Sequence, residues 1–252
     1  MSNPDSAKKT SFLEVLLVLL RQVGIYIIVG LGGALLLLYL FSELTEDLLR
    51  NEFSNFDNNF ELWIHSFANP VFDTMFNFFT SVGGIPGICI LTVISFAYLC
   101  WKRHFYSAII LVLAVGGGLL INVVLKELFR RPRPDLWQKT YAEPTSFSFP
   151  SGHSTLSLCF FGIMIWIIFH LLKSQRLKIG LTVLLVFIIL VIGLSRIYFG
   201  VHYPTDVIGG YLSGGFWLAL LVSGDAIFTR IHLPRSREII PQMTGKDKQI
   251  KS

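Results

Sequence analysis

Three short stretches concentrate the side chains able to do chemistry. The first is Lys126-Glu-Leu-Phe-Arg130-Arg131-Pro132-Arg133-Pro134, where a helix end runs into backbone that two prolines force to be extended. The second is Phe149-Pro150-Ser151-Gly152-His153-Ser154. A proline, a serine able to cap and then an apolar run read as a helix N-terminus. Its N–H groups and the positive end of its dipole make an anion site, and Gly152 lets an anion approach the backbone closely. The third is Ser195-Arg196-Ile-Tyr-Phe-Gly-Val-His202-Tyr-Pro204-Thr-Asp206, in which His202 and Asp206 stand one helical turn apart. Together they offer three cations (Lys126, Arg133, Arg196), a backbone anion nest, two imidazoles and a carboxylate. That set suits phosphoryl transfer, where catalysis is mostly positioning and neutralising a highly charged transition state. One imidazole can attack phosphorus while the other protonates the departing oxygen. A carboxylate on the far nitrogen of the attacking ring would fix its tautomer. No acidic cluster suited to Mg²⁺ stands near these stretches, so the expectation is no metal and no cofactor, with the protein's own cations in their place.

The elements that must position these groups are helices in lipid. Hydrophobic residues make up 53% of the 252 and charged residues 15%, against a usual charged share of about 25%. Disordered chains, coiled coils and nucleic-acid modules are excluded. The net charge of +5 is split into short clusters between apolar runs and is no nucleic-acid signal. Cys89, Cys100 and Cys159 are dispersed within those runs, which argues against a disulfide framework or a zinc site. Six stretches free of Asp, Glu, Lys and Arg (22–42, 74–101, 104–125, 144–172, 179–195 and 207–224) are long enough to cross a bilayer. Backbone polar groups must be paired internally there, which requires helices. The expected spans are about 22–42, 83–101, 105–125, 154–172, 179–195 and 207–228, followed by a polar tail over 231–252. The first is read as a retained anchor rather than a cleaved signal. Glycines at 30, 32, 33, 116, 117, 118, 209, 210, 214 and 215 are read as packing devices between helices.

Orientation follows from the Lys/Arg bias of short loops. With both termini in the cytoplasm, 14 of the 21 basic residues lie inside. The three chemical stretches then face outward, and the basic residues gathered there need a local reason. Residues 43–73 form a further outward segment in which Phe53, Phe56, Phe60, Trp63 and Phe67 recur at helical spacing. Asn55, Asp57, Asn58, Asn59 and Glu61 fall elsewhere around that helix, and Asn69-Pro70 breaks it. The expectation is an amphipathic hairpin, either lying on the membrane beside a lipid entrance or packed on the other helices. Its acidic face would disfavour anionic lipid. The fold expected is therefore an all-α polytopic membrane protein: six transmembrane helices plus an amphipathic extracytoplasmic hairpin, in one domain over 1–252.

At full spacing, the three stretches read K-x6-R-P from Lys126 to Arg133-Pro134, P-S-G-H from Pro150 to His153, and S-R-x5-H-x3-D from Ser195-Arg196 to His202 and Asp206. In this the chain resembles the type 2 phosphatidic acid phosphatase superfamily of integral membrane lipid phosphatases. The resemblance covers 126–206, and six helices match that family's membrane core. It implies a phosphohistidine intermediate on His202, Asp206 orienting that ring, and His153 as general acid. Phosphate would be held by Lys126, Arg133, Ser151, Gly152 and Arg196. It implies a metal-independent hydrolase of a lipid phosphate monoester or diphosphate, such as undecaprenyl pyrophosphate, phosphatidylglycerophosphate or phosphatidate. The partners expected are that lipid and the cell-membrane bilayer, with no nucleic acid and no obligate protein.

Other residues receive plainer expectations. Ser195 either touches phosphate or bonds to backbone. Arg130, Arg131 and Lys139 are read as interfacial snorkelling. His65, His104, His170 and His232 are read as polar caps, and Trp137, Tyr141, Tyr198 and Tyr203 as interface aromatics. The alternative function is a non-catalytic lipid-phosphate-binding or transport protein, although no internal repeat of the transporter kind is visible.

Overall fold

The computed structural model describes residues 12–137 and 146–232, with side chains over 28–137 and 146–225. Lys139, Tyr141 and the tail beyond 232 lie outside the described residues, as do the side chains before 28. Every regular element among the described residues is an α-helix: α1 (Phe12–Leu49), α2 (Ser54–His65), α3 (Pro70–Gly83), α4 (Ile85–Trp101), α5 (Phe105–Phe129), α6 (Gly152–Leu171), α7 (Gln175–Tyr198) and α8 (Pro204–His232). Residues 33–221 form one compact unit, and the described parts of 1–32 and 222–252 form another. Every residue of the candidate site described below belongs to the 33–221 unit.

Among the described residues, five helices are long and apolar enough to cross a membrane: Ile28–Leu49, Phe105–Phe129, Gly152–Leu171, Gln175–Tyr198 and Pro204–Asp225. The count rises to six if α3 and α4, which meet at 57°, make one broken span. Helix limits depart from the charge-free runs for local reasons. Charge ends an apolar run but not a helix, so α1 continues through Glu43, Glu46 and Asp47 to Leu49. Caps start α6 and α7 earlier than expected: Ser151 Oγ accepts from Ser154 N–H, and Ser174 Oγ from Leu177 N–H. Pro204 opens α8 at a first-turn position. The expected span at about 83–101 corresponds to α4. Gly84 has extended backbone and Pro86 sits in the first turn of α4, so the helix running there is only Ile85–Trp101, bent away from α3.

α6 packs on α5 and α7, and α7 also packs on α3 and α2. α8 closes onto the start of α6 through glycines. A Cβ at Gly209 would meet the Phe149 ring at 2.5 Å, and one at Gly214 the Thr155 carbonyl at 3.1 Å. Gly117 lies under Trp217 and Gly118 against Cys159, while Gly32, Gly33 and Gly116 face open space and carry no packing role. At Gly210 a Cβ would stand 2.7 Å from the Ser151 carbonyl oxygen and 2.8 Å from Ser154 Cβ. Neither atom is the far end of a flexible chain. Gly210→Ala is therefore expected to cost about 1–3 kcal/mol. The protein's thermal midpoint in detergent should fall, whereas Gly116→Ala should leave it unchanged.

α2 inverts one expectation. Phe53, Phe56, Phe60, Trp63 and Phe67 form a continuous ladder with ring centroids 5.3–6.3 Å apart. Phe56, Trp63 and Phe67 are exposed and the other two are half-buried. Asp57 and Glu61 are both wholly buried. The two acids that were expected to disfavour anionic lipid thus point into the protein, which favours the packed form of the two alternatives left open for this segment. Periodicity identifies residues that share a face but not the medium that face meets. In a chain with lipid-exposed helices, the aromatic side can be the outer one. Tyr198 is likewise no interface aromatic. It is buried in a cluster with Ile64, Phe76, Ile197 and Val207, and its hydroxyl donates to Asp73 Oδ1 at 2.6 Å.

Candidate active site

The three chemical stretches converge at one end of the helices, where α5 and α7 finish and α6 and α8 begin. α5 stops at Arg130, whose left-handed backbone (φ 45°) turns the chain out of the helix. The extended segment that follows returns Ser148 N–H to the Arg131 carbonyl at 2.9 Å. Ser151 N–H then donates to the Asp206 carbonyl at 2.9 Å, which ties the start of α6 to the first turn of α8.

His202 sits in the short link before α8, almost wholly buried. Its Nδ1 is 3.3 Å from Asp206 Oδ2, and its Nε2 is 3.2 Å from Arg133 NH1. A guanidinium can only donate, so Nε2 must be the acceptor. The proton therefore lies on Nδ1, which donates to Asp206. Burial, and then the positive charges of Arg133, Arg196 and Lys126, hold the imidazole well below its ordinary titration range. The result is a neutral ring with its free lone pair on Nε2, aimed at a cation.

The three cations Arg133, Arg196 and Lys126 thus lie within electrostatic reach of His202. Besides His202, Arg133 reaches four further acceptors: Ser146 carbonyl (2.8 Å), Val201 carbonyl (2.5 Å), Ser146 Oγ (3.2 Å) and Phe147 carbonyl (3.2 Å). Lys126 Nζ donates to the Phe147 carbonyl. Arg196, on the last turn of α7, has no exposed surface and donates to the hydroxyl of Thr80. His153 lies in the first turn of α6, within electrostatic reach of Arg196, His202 and Arg133. Its Nε2 packs beside Gly84, where a Cβ would stand 3.4 Å away. Ser151 is wholly buried at the N-cap, directly before Gly152. Ser195 is turned to backbone: its hydroxyl donates to the Ile192 carbonyl at 2.6 Å.

Four contributors were not found from sequence. Asn122, one turn before Lys126 on the same face of α5, is buried, and its Nδ2 donates to the Pro150 carbonyl (3.1 Å) and Thr155 Oγ1 (3.2 Å). Its spacing from Lys126 was a usable signal. Thr80, at the end of α3, steadies Arg196 and carried none. Arg131 corrects the snorkelling expectation: it bridges Asp206 (2.6 Å) and Asp57 (2.7 Å) with its side chain 15% exposed. Burial alone would lower its guanidinium, but Asp206 and Asp57 outweigh burial and raise it above its ordinary value. Asp57 comes from α2, and the usable signal was its four-residue spacing from Glu61 on one face. Arg130 fits the surface reading, exposed and paired with Glu127. Of the expected caps and interface aromatics, His65 and Trp137 stack on each other (3.9 Å between centroids), and Tyr203 stacks on Arg131. Among the described residues, no three His, Cys, Asp or Glu side chains are grouped to hold a metal ion.

Comparison with known proteins fits this geometry. The family model of the PAP2 superfamily matches residues 107–228, which include all three chemical stretches and Asn122 but not Asp57, Thr80 or Gly84. The chain is 35% identical over 146 residues to phosphatidylglycerophosphatase B of Bacillus subtilis, covering 58% of this chain and 70% of that protein. The chain belongs to the PAP2 superfamily. It is also 30% identical over 127 residues to an undecaprenyl-diphosphatase of Sulfolobus acidocaldarius, covering 49% of this chain and 57% of that one. Among solved structures, it superposes on a transmembrane PAP2 type phosphatidylglycerolphosphate phosphatase from Bacillus subtilis with a TM-score of 0.71. That match has 28% identity and covers 77% of this chain and 96% of the other. The chain is thus an all-helical, multi-span membrane protein with the fold of this superfamily.

Proposed function

We propose that the protein is a metal-independent lipid phosphatase working through a phosphohistidine on His202. The observation that carries this reading is the placement of that ring, with Nδ1 3.3 Å from Asp206 Oδ2 and Nε2 3.2 Å from Arg133 NH1, within electrostatic reach of Arg196 and Lys126. In the reaction, the phosphoryl group takes Arg133 from Nε2, so the cation that restrained the nucleophile now holds its target. Nε2 attacks the terminal phosphorus in line, and the bond from that phosphorus to the lipid oxygen breaks (or, for a diphosphate, the bond to the bridging oxygen, so that the lipid monophosphate leaves). His153 gives the leaving oxygen its proton. The negative charge brought by the substrate favours a protonated His153 among Arg196 and Arg133. Water then attacks the phosphohistidine, His153 takes its proton, and inorganic phosphate leaves. Lys126, Arg133, Arg196 and the N–H groups of Gly152 and His153 at the start of α6 hold the phosphoryl oxygens. Ser151 shapes that turn.

In this reading the membrane is crossed six times, with α3 and α4 as one broken span. Lys102 and Arg103 after α4, and Lys173, Arg176 and Lys178 around the start of α7, mark the cytoplasmic side. Both termini lie on that side, and the cup opens to the outer face of the cell membrane. α2 rests there with its aromatic ladder at the lipid interface, where Trp and Phe settle readily.

The substrate class is tested by phosphate release from undecaprenyl pyrophosphate, phosphatidylglycerophosphate and phosphatidate in one detergent. Release from at least one, undiminished by chelation, is the expected result. A pure binder or transporter would release none. Activity lost with chelator and restored by Mg²⁺ would remove the metal-free mechanism.

A further inference from the structure

Arg131 falls outside all three sequence motifs, yet it stands directly behind the nucleophile. Its NH1 donates to Asp206 Oδ1 (2.6 Å) and Thr205 Oγ1 (2.8 Å), and its NH2 to Asp57 Oδ2 (2.7 Å). The Tyr203 ring lies 4.1 Å from the guanidinium carbon. Asp57 is itself pinned, accepting from Thr205 N–H (3.1 Å) and Thr205 Oγ1 (2.7 Å). Both carboxylates are wholly buried.

The division of Asp206 between its two oxygens gives this cage a function. Oδ2 receives His202 Nδ1 at 3.3 Å and Tyr203 N–H at 2.9 Å, while Arg131 occupies Oδ1. A buried carboxylate held at one oxygen alone can swing about its last torsion or take up a proton to escape desolvation. A guanidinium locked onto the other oxygen opposes both. We propose that Arg131, anchored by Asp57 of α2, is a positioning residue for the nucleophile. It holds Asp206 charged and oriented, and through it keeps the His202 proton on Nδ1 and the lone pair on Nε2. The surface hairpin thereby supplies part of the catalytic apparatus, since Asp57 reaches the site from the helix that carries the aromatic ladder. This inference rests on the phosphohistidine reading above.

The site also offers its own rescue test. A cavity of about 340 Å³, bounded by Phe53, Asn58, Phe129, Arg131 and Tyr203, opens beside the guanidinium. It can admit a small guanidinium ion to the position left by a shortened side chain. Arg131→Ala is expected to lower kcat by about 10–100-fold, the scale for losing a group that orients a catalytic ligand, with KM little changed. Millimolar ethylguanidinium should restore part of that loss, and Arg131→Lys should lose less than Arg131→Ala. In the Asp206→Asn background, Arg131→Ala should cost nothing further, because both changes break the same chain. Arg130→Ala, at the neighbouring exposed position, should leave turnover unchanged.

Full kcat in Arg131→Ala would overturn the inference. So would losses that multiply with Asp206→Asn and resist ethylguanidinium, which would mark a purely structural residue. Should Arg131→Ala fail to fold, Asp57→Asn carries the same cycle: a drop in kcat that vanishes in Asp206→Asn supports the anchor, and an unchanged kcat refutes it. If the unaltered protein itself releases no phosphate while binding lipid phosphate, the phosphohistidine reading fails first and takes this inference with it. An active enzyme indifferent to Arg131 refutes the inference alone.

Discussion

His202→Ala is expected to abolish phosphate release while the protein still folds and still binds the lipid phosphate. The ring is buried, but it packs in the link before α8 rather than in the apolar core between helices. Its removal takes away the atom that would form the bond to phosphorus and leaves Lys126, Arg133 and Arg196 to hold the anion. Removing the nucleophile of a covalent hydrolase lowers kcat by about 10⁶-fold in measured cases, so turnover should fall to the assay floor. The matching measurement is retention of lipid phosphate by the variant at constant salt. An active His202→Ala protein would end the assignment.

The second large effect is expected at His153, and its size should depend on the leaving group. General acid catalysis is worth about 10²–10⁴-fold when the departing oxygen is a poor leaving group. His153→Gln should therefore lose that much with a lipid alkyl phosphate. With a lipid-tailed aryl phosphate, whose phenolate departs unaided, the formation of the phosphoenzyme should proceed at near the normal rate. Its hydrolysis should remain slow, because the attacking water still lacks a base. A pre-steady-state burst of phenol followed by slow turnover is the signature. An equal loss on both substrates would remove the proton from the account of His153.

Much of this was legible before any coordinates, and the reason is local. The motif residues at 126–134, 150–153 and 195–206 lie at helix ends marked by proline, serine and glycine, so their place on an element could be read from those local signals. Spacing alone put His202 and Asp206 one turn apart. What escaped was whatever depended on the direction in which a helix face points. Asp57 and Glu61 share a face with each other in the sequence pattern, but whether that face met water or protein was decided by the aromatic ladder turning outward. Arg131 was dismissed for the same reason: a basic residue at a membrane surface looks like snorkelling until its partner arrives from a helix some 70 residues away in the chain. Thr80 and Gly84 act only because α3 and α4 break beside His153, and a bend between two apolar runs leaves no mark in hydropathy.

The proposed covalent step is open to direct observation. His153→Gln protein, mixed with the lipid-tailed aryl phosphate and quenched in alkali, where phosphohistidine survives, should carry one phosphate. Peptide mass spectrometry should locate it on His202. Phosphate on any other side chain, or continued turnover with no phosphorylated peptide at any time point, would contradict the mechanism.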